Sequence, residues 1–130
     1  GDNQLSEGLY ATVIGIFEKQ KLETDILTVT GTGEKKRDFT NVFDIVSGLI
    51  AMSKDRWNGE IFNLGTGRNH SINEVAKLFK PKEIRYLSER PGEAEVTLAD
   101  ISFTKEKLGW EPKHTLEEYV RNFLNLHQLQ

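Results

Sequence analysis

The sequence predicts an α/β fold, and three observations carry that prediction. β-rich runs at residues 26–30 (ILTVT), 60–64 (EIFNL) and 84–87 alternate with stretches whose apolar residues recur at helical spacing. Two S/T-x-x-E capping boxes, Ser71 with Glu74 and Thr115 with Glu118, mark helix starts. Gly31, Gly65 and Gly109, together with Pro81 and Pro112, mark where elements stop.

Residues 1–7 read as a loose start. A helix is expected over 9–21, with Tyr10, Val13, Ile14 and Phe17 on its apolar face and Glu18, Lys19 and Lys21 turned away. The strand 26–30 follows and ends at Gly31. The stretch 31–44, GTGEKKRDFTNVFD, opens as a tight turn at Gly31 and Gly33. It then carries Lys35, Lys36 and Arg37, followed by Asp38, Phe39 and Phe43. Asn41 or Asp44 caps a helix through Ile45, Val46, Leu49 and Ile50, ending near Ser53. Asn58-Gly59 is a turn. The run 60–64 has a continuous apolar middle and reads as a buried strand without neighbours on this chain, so it calls for a larger fold or a partner. Ser71 opens a helix through Val75, Leu78 and Phe79, which Pro81 ends. The strand 84–87 leads to the loop SERPGE, residues 88–93. Asp100 caps a short helix closing at Leu108-Gly109. The last helix presents Leu116, Tyr119, Val120, Phe123 and Leu124. Trp57 and Trp110 read as packing residues beside turns.

The 130 residues are the size of one domain, 37% hydrophobic and 28% charged, enough for one modest core. Net charge is -3, so no global field draws the chain to nucleic acid or anionic membrane, and any anion site must be local. There is no cysteine, which excludes disulfides and thiolate metal sites and is compatible with a reducing cytoplasm. No apolar run approaches the ~20 residues that span a bilayer. His70, His114 and His127 are isolated, without a metal-ligand spacing. Neither GTG, at 31–33 or 65–67, supplies the third glycine of a dinucleotide loop. No G-x-S-x-G and no Tyr-x-x-x-Lys pair is present, so no catalytic residue is expected in this chain.

Two anion candidates remain. Arg37 lies between a glycine turn and a capped helix, and a guanidinium matches phosphate oxygens with paired donors. Arg90 is fixed from behind by Pro91 and Gly92, with Glu93 three residues on. Each also reads as a solvated surface turn, the second with an ion pair worth about 0–1 kcal/mol. Lys35 and Lys36 are expected to be solvated.

RDFTNVFD, FNLGTG, RPGE and LGWEP, in this order, resemble the C-terminal part of the nucleotide-sugar epimerases and dehydratases, which are extended short-chain dehydrogenase/reductases. The similarity covers essentially the whole chain and is strongest to the UDP-hexose 4-epimerase branch. It implies that Arg37 and Arg90 contact a nucleotide diphosphate and that Glu93 binds the ribose hydroxyls, where the family usually has Asp. Less firmly, it implies that Thr28 and Thr30 lie beside the uracil. Leu108 and Trp110 would lock the short helix to the core. The family's NAD loop and its catalytic Tyr-x-x-x-Lys lie upstream of the matching region, so NAD is expected in the complete enzyme with its site outside this chain.

The resemblance therefore implies that residues 1–130 form a single C-terminal substrate-binding domain, with the Rossmann half absent. A fragment of a longer enzyme, a subunit completed by a separately encoded half, and a remnant are the three explanations, and the first is favoured. The expected function is UDP-sugar binding within an NAD-dependent, cytoplasmic 4-epimerase, as a homo-oligomer or paired with the missing half. The alternatives are a piece of a related dehydratase, or a non-catalytic nucleotide-sugar-binding or self-associating module that pairs through the edge of 60–64.

Overall fold

The computed structural model describes residues 1–89 and 92–129. Its order is α1 (Val13–Glu23), β1 (Ile26–Thr30), β2 (Lys36–Arg37), α2 (Val42–Met52), β3 (His70–Ser71), α3 (Ile72–Leu78), β4 (Glu83–Leu87), α4 (Ser102–Leu108) and α5 (Leu116–Leu126). This is the α/β arrangement the sequence predicts.

β1 and β4 pair in parallel, from Ile26 beside Glu83 to Thr30 beside Leu87. Parallel strands need a covered face, and Leu27 and Val29 supply it. Both are fully buried against Phe17, Val75, Phe79, Val120 and Leu124. α1 and α3 lie on β1, and α5 closes over α3. Phe79 sits edge-on to Phe17 and to Phe123, with ring centroids 5.8 Å from each. Both capping boxes form: the Ser71 and Thr115 hydroxyls accept from the Glu74 and Glu118 amides, and each glutamate accepts from the amide of its cap.

A second, shorter pairing sets Arg37 opposite His70 and Lys36 opposite Ser71, antiparallel. The chain returns to the same ribbon at Val96, which bridges Lys36 in parallel. α2 begins at Asn41, whose side chain accepts from the Phe43 amide.

Four expectations are corrected. The first helix starts at Val13, because the Thr12 hydroxyl caps it by accepting from the Gly15 amide. Tyr10 therefore lies outside the helix and is exposed, not on an apolar face. Lys21 does not face solvent. It is buried, with Nζ 2.6 Å from Asp25 Oδ1 and 2.9 Å from the Lys80 carbonyl, and it ties α1 to the α3–β4 turn.

Residues 60–64 form no strand. Thr104 Oγ1 donates to the Asn63 carbonyl at 2.7 Å, and the Asn63 side chain donates to the Asp100 carbonyl. Ile61 is exposed and Leu64 presses against Gly48. The cap of α4 is Ile101 and not Asp100, although the Asp100 carboxylate still accepts from the Ser102 amide at 3.0 Å. Gly109 stops that helix at φ 60°. Among the described residues no helix is long and apolar enough to cross a membrane.

Candidate functional site

β1 delivers the chain into the glycine turn at Gly31 and Gly33, at φ 66° and 76°. The first turn of α3 holds this loop. The Asn73 amide donates to the Gly33 carbonyl, and Asn73 Nδ2 donates to the Thr32 carbonyl and to Glu34. A Cβ at Gly33 would stand 2.1 Å from Asn73 Oδ1, so only glycine fits.

Lys35 follows. Its side chain is 14% exposed, with Nζ 3.0 Å from Glu89, 3.7 Å from Glu95 and 3.9 Å from Glu93. The expectation of a solvated Lys35 is thus overturned by three carboxylates on the returning segment, whereas Lys36 is exposed. The Glu89 bond raises the Lys35 pKa above the lysine range, against partial burial, with Glu95 and Glu93 adding to it.

Arg37 is half-buried on β2. Its Nη1 donates to the Lys36 carbonyl at 2.8 Å, and among the described residues it has no carboxylate within ion-pair distance. Beside it, the Asp38 carboxylate is enclosed by donors. The Thr66 amide and hydroxyl reach it at 2.9 and 2.5 Å, the Gly67 amide at 3.0 Å and the Ala99 amide at 3.2 Å. Gly65 lies so close to Asp38 and Ala99 that a Cβ there would meet the Ala99 Cβ at 2.4 Å. The second GTG is therefore a cradle for a side chain of this protein. Asp44, in the first turn of α2, does the same work. It is fully buried and accepts from the Lys113 and His114 amides at 3.0 Å each and from His114 Nδ1 at 2.8 Å. Burial pushes its pKa up, but those three bonds together hold it below the usual value. Asp38 and Asp44 thus fix both ends of the RDFTNVFD stretch, a role that sequence spacing did not reveal.

The segment after β4 lies alongside this ribbon. The Gly31 amide donates to the Leu87 carbonyl, the Lys36 amide to the Glu95 carbonyl, and the Thr97 amide to the Lys36 carbonyl. Glu93 is consequently on a backbone stretch neighbouring Arg37. Arg90, the second predicted diphosphate contact, lies outside the described residues. Thr28 is committed locally: Gln20 Nε2 donates to its hydroxyl at 2.7 Å and Gln20 Oε1 accepts from its amide at 2.9 Å. Thr30 is half-buried at the end of β1, beside Leu87. A cleft of about 660 Å³ runs along α5 past Phe43, His114 and Tyr119, and none of Arg37, Glu93, Thr28 or Thr30 lines it.

The glycine turns do not fit a nicotinamide dinucleotide. The first leads from β1 into β2 and not into a helix, and the amides of the second are spent on Asp38. A pyrophosphate cradle needs free amides at a helix N-terminus. Among the described residues, therefore, no group is assigned to NAD. Nor does any group of three or more possible metal ligands occur among them.

The geometry defines an α/β domain in which Arg37 lies on a short ribbon beside a carboxylate-bearing segment, and comparison with known proteins places it in a family. The family model described as NAD dependent epimerase/dehydratase family matches residues 1–65, and this chain belongs to that family. A putative UDP-glucose 4-epimerase of Methanocaldococcus jannaschii is 34% identical over 131 residues, covering 96% of this chain and 41% of that protein. UDP-glucuronic acid decarboxylase 1 of Xenopus tropicalis is 39% identical over 82% of this chain and 26% of its own length. The crystal structure of UDP-glucose 4-epimerase from Thermotoga maritima with UDP-glucose superposes with a TM-score of 0.88 at 34% identity, over 98% of this chain and 42% of that one. The chain thus spans well under half the length of these relatives.

Proposed function

We propose that these residues grip the UDP moiety of a UDP-sugar within an NAD-dependent 4-epimerase, and that residues 1–130 are the substrate-binding domain of that longer enzyme. Arg37 and Arg90 hold the diphosphate, Glu93 accepts from the ribose hydroxyls, and Thr30, with Thr28 behind it, borders the uracil. The reading assigns NAD and proton transfer to residues other than these. It places the working enzyme in the cytoplasm, as an oligomer or paired with its dinucleotide-binding half.

The observation that carries the proposal is the contrast between two neighbouring cations. Lys35 is surrounded by carboxylates, while half-buried Arg37 has none within ion-pair distance among the described residues. A guanidinium held on a ribbon, with Nη1 on the Lys36 carbonyl and its other donors uncommitted among the described residues, can still present paired donors to an anion. Binding energy of this kind, remote from the reacting carbon, positions a sugar for chemistry. The likeness to a UDP-glucuronic acid decarboxylase supports a second reading, in which the same UDP grip serves a different sugar reaction.

Calorimetric titration of UDP into the full enzyme, wild type and Arg37→Ala, tests the grip. Losing a charge-assisted contact of about 1.5–3 kcal/mol weakens affinity roughly tenfold or more. Unchanged affinity overturns the proposal. Conversion of UDP-glucose to UDP-galactose separates the epimerase reading from the decarboxylase one.

A further inference from the structure

We infer that Lys35 is a positioning residue for nucleotide binding: it ties Glu89, Glu93 and Glu95 to the glycine turn and sets the place of the Glu93 carboxylate. The inference rests on the proposed role of Glu93 and goes beyond it, because neither the motif pattern nor the resemblance gives position 35 a role.

Three observations support it. First, the tether touches the segment on both sides of its own turn, at Glu89 before Gly92 and at Glu93 and Glu95 around and after it. A cation paired with several carboxylates restricts the side chains it pairs with. Once Lys35 is ordered by one partner, its pairing with the others costs little further side-chain entropy. Its side chain is only 14% exposed, so the ammonium has a restricted origin.

Second, the distances differ in a useful way. Lys35 Nζ is at hydrogen-bond distance from Glu89, 3.0 Å, but at 3.9 Å from Glu93 Oε2. The first is a close ion pair; the second is a looser electrostatic contact that leaves the acceptor sites of Glu93 open. Glu93 is thereby held near the ribbon and still able to accept from two hydroxyls. Had Lys35 bonded Glu93 directly, a ribose would have to displace it.

Third, the charge balance requires a cation here. Glu89, Glu93 and Glu95 place three negative charges beside the stretch that carries Arg37. A diphosphate approaching uncompensated carboxylates is repelled. Lys35 offsets some of that field, and its contacts with Glu89, Glu95 and Glu93 favour the charged ammonium. Arg37, one position beyond Lys36, is left to face the ligand.

The test compares UDP with 2′-deoxy-UDP as probes, in the full enzyme. Wild type prefers UDP because Glu93 accepts from the 2′-hydroxyl. Lys35→Met is expected to reduce that preference at least threefold, with Lys35→Arg restoring most of it. In a Glu93→Gln background, Lys35→Met is expected to have little further effect on the preference, since residues acting through one group are not additive. A fold made generally less stable would weaken both nucleotides equally and leave the preference intact.

If Lys35→Met leaves the UDP preference unchanged while Glu93→Gln abolishes it, the inference is wrong and the proposed site stands. If neither Arg37→Ala nor Glu93→Gln affects UDP binding, the site itself is wrong. Additive losses in the double variant would also overturn the tether, because Lys35 would then act independently of Glu93.

Discussion

The two sides of this molecule are built by different physics. On one side α1, β1, α3, β4 and α5 enclose an apolar core, with Phe17, Leu27, Val29, Val75 and Phe79 fully buried. On the other, α2 buries only Asp44 and Gly48, and its Val42, Phe43, Val46, Leu49 and Ile50 are exposed. That second side is fixed by polar pins. Asp38 is held by the amides of Thr66, Gly67 and Ala99, and Asp44 by those of Lys113 and His114. Trp110 adds a third pin, donating from Nε1 to Ser47 Oγ at 2.8 Å. Hydrophobic burial is non-directional, whereas hydrogen bonds fix angle and distance. The core therefore supplies stability, and the pinned side fixes the backbone on which Arg37 sits.

The sharpest break in this comparison comes from the core. Phe79→Ala removes the ring lying between Phe17 and Phe123. The expected cost is about 3–5 kcal/mol, measured by urea unfolding followed by circular dichroism. For a chain of this size that is a large fraction of total stability. A loss below about 1 kcal/mol would mean that the core is not where the stability resides.

Asp44 tests the pinned side. Asp44→Asn keeps the shape but removes the charge and one acceptor, leaving one of the Lys113 and His114 amides short of a partner beside the buried side chain. The expected cost is about 1–3 kcal/mol, with little change in the folded content of α1, α3 and α5. The pH dependence follows from the lowered carboxyl pKa. Burial opposes that shift, and the Lys113 amide, the His114 ring and the His114 amide outweigh it. A carboxyl depressed in the folded state binds fewer protons there than in the unfolded chain. Its stabilisation is therefore fully present above the unfolded value near 3.8 and is lost as pH falls through the folded value. Acid titration of wild type against Asp44→Asn should show the difference between the two shrinking below about pH 4.

The same division explains what the sequence made legible. Core elements announce themselves locally: ILTVT is a strand, and the two capping boxes stand where their residues stand. The run EIFNL looked equally strand-like, but β structure requires a neighbour to bond, and the Thr104 hydroxyl took the Asn63 carbonyl instead. Tyr10 fitted helical spacing, and only the Thr12 cap decided otherwise. Arg37 and Glu93 were accessible as motif residues. Asp38, Asp44 and Lys35 owe their roles to partners 28 to 70 positions away, and no local pattern encodes such a pairing. The meaning of the second GTG changed for the same reason, since its amides face a carboxylate of this chain and not a phosphate.

The smallest expected effect sharpens the comparison most. Leu49 lies on the exposed apolar face of α2, 54% accessible, in line with Val42, Val46 and Ile50. Lys and Leu have similar helix propensities, so Leu49→Lys alters the surface without weakening the helix. In the 130-residue chain the change should shift unfolding stability by no more than about 0.5 kcal/mol, against severalfold more for Phe79→Ala. A regular row of exposed apolar residues is the kind of surface that further chain can cover. In an enzyme whose remaining length covers α2, the same lysine would have to be buried without a partner, and stability should fall by well over 1 kcal/mol. Thermal unfolding of both forms, with and without the substitution, separates the two cases. Equal, small shifts in each would show that α2 stays solvent-facing throughout, and the pinned side would then need no cover to hold Arg37 in place.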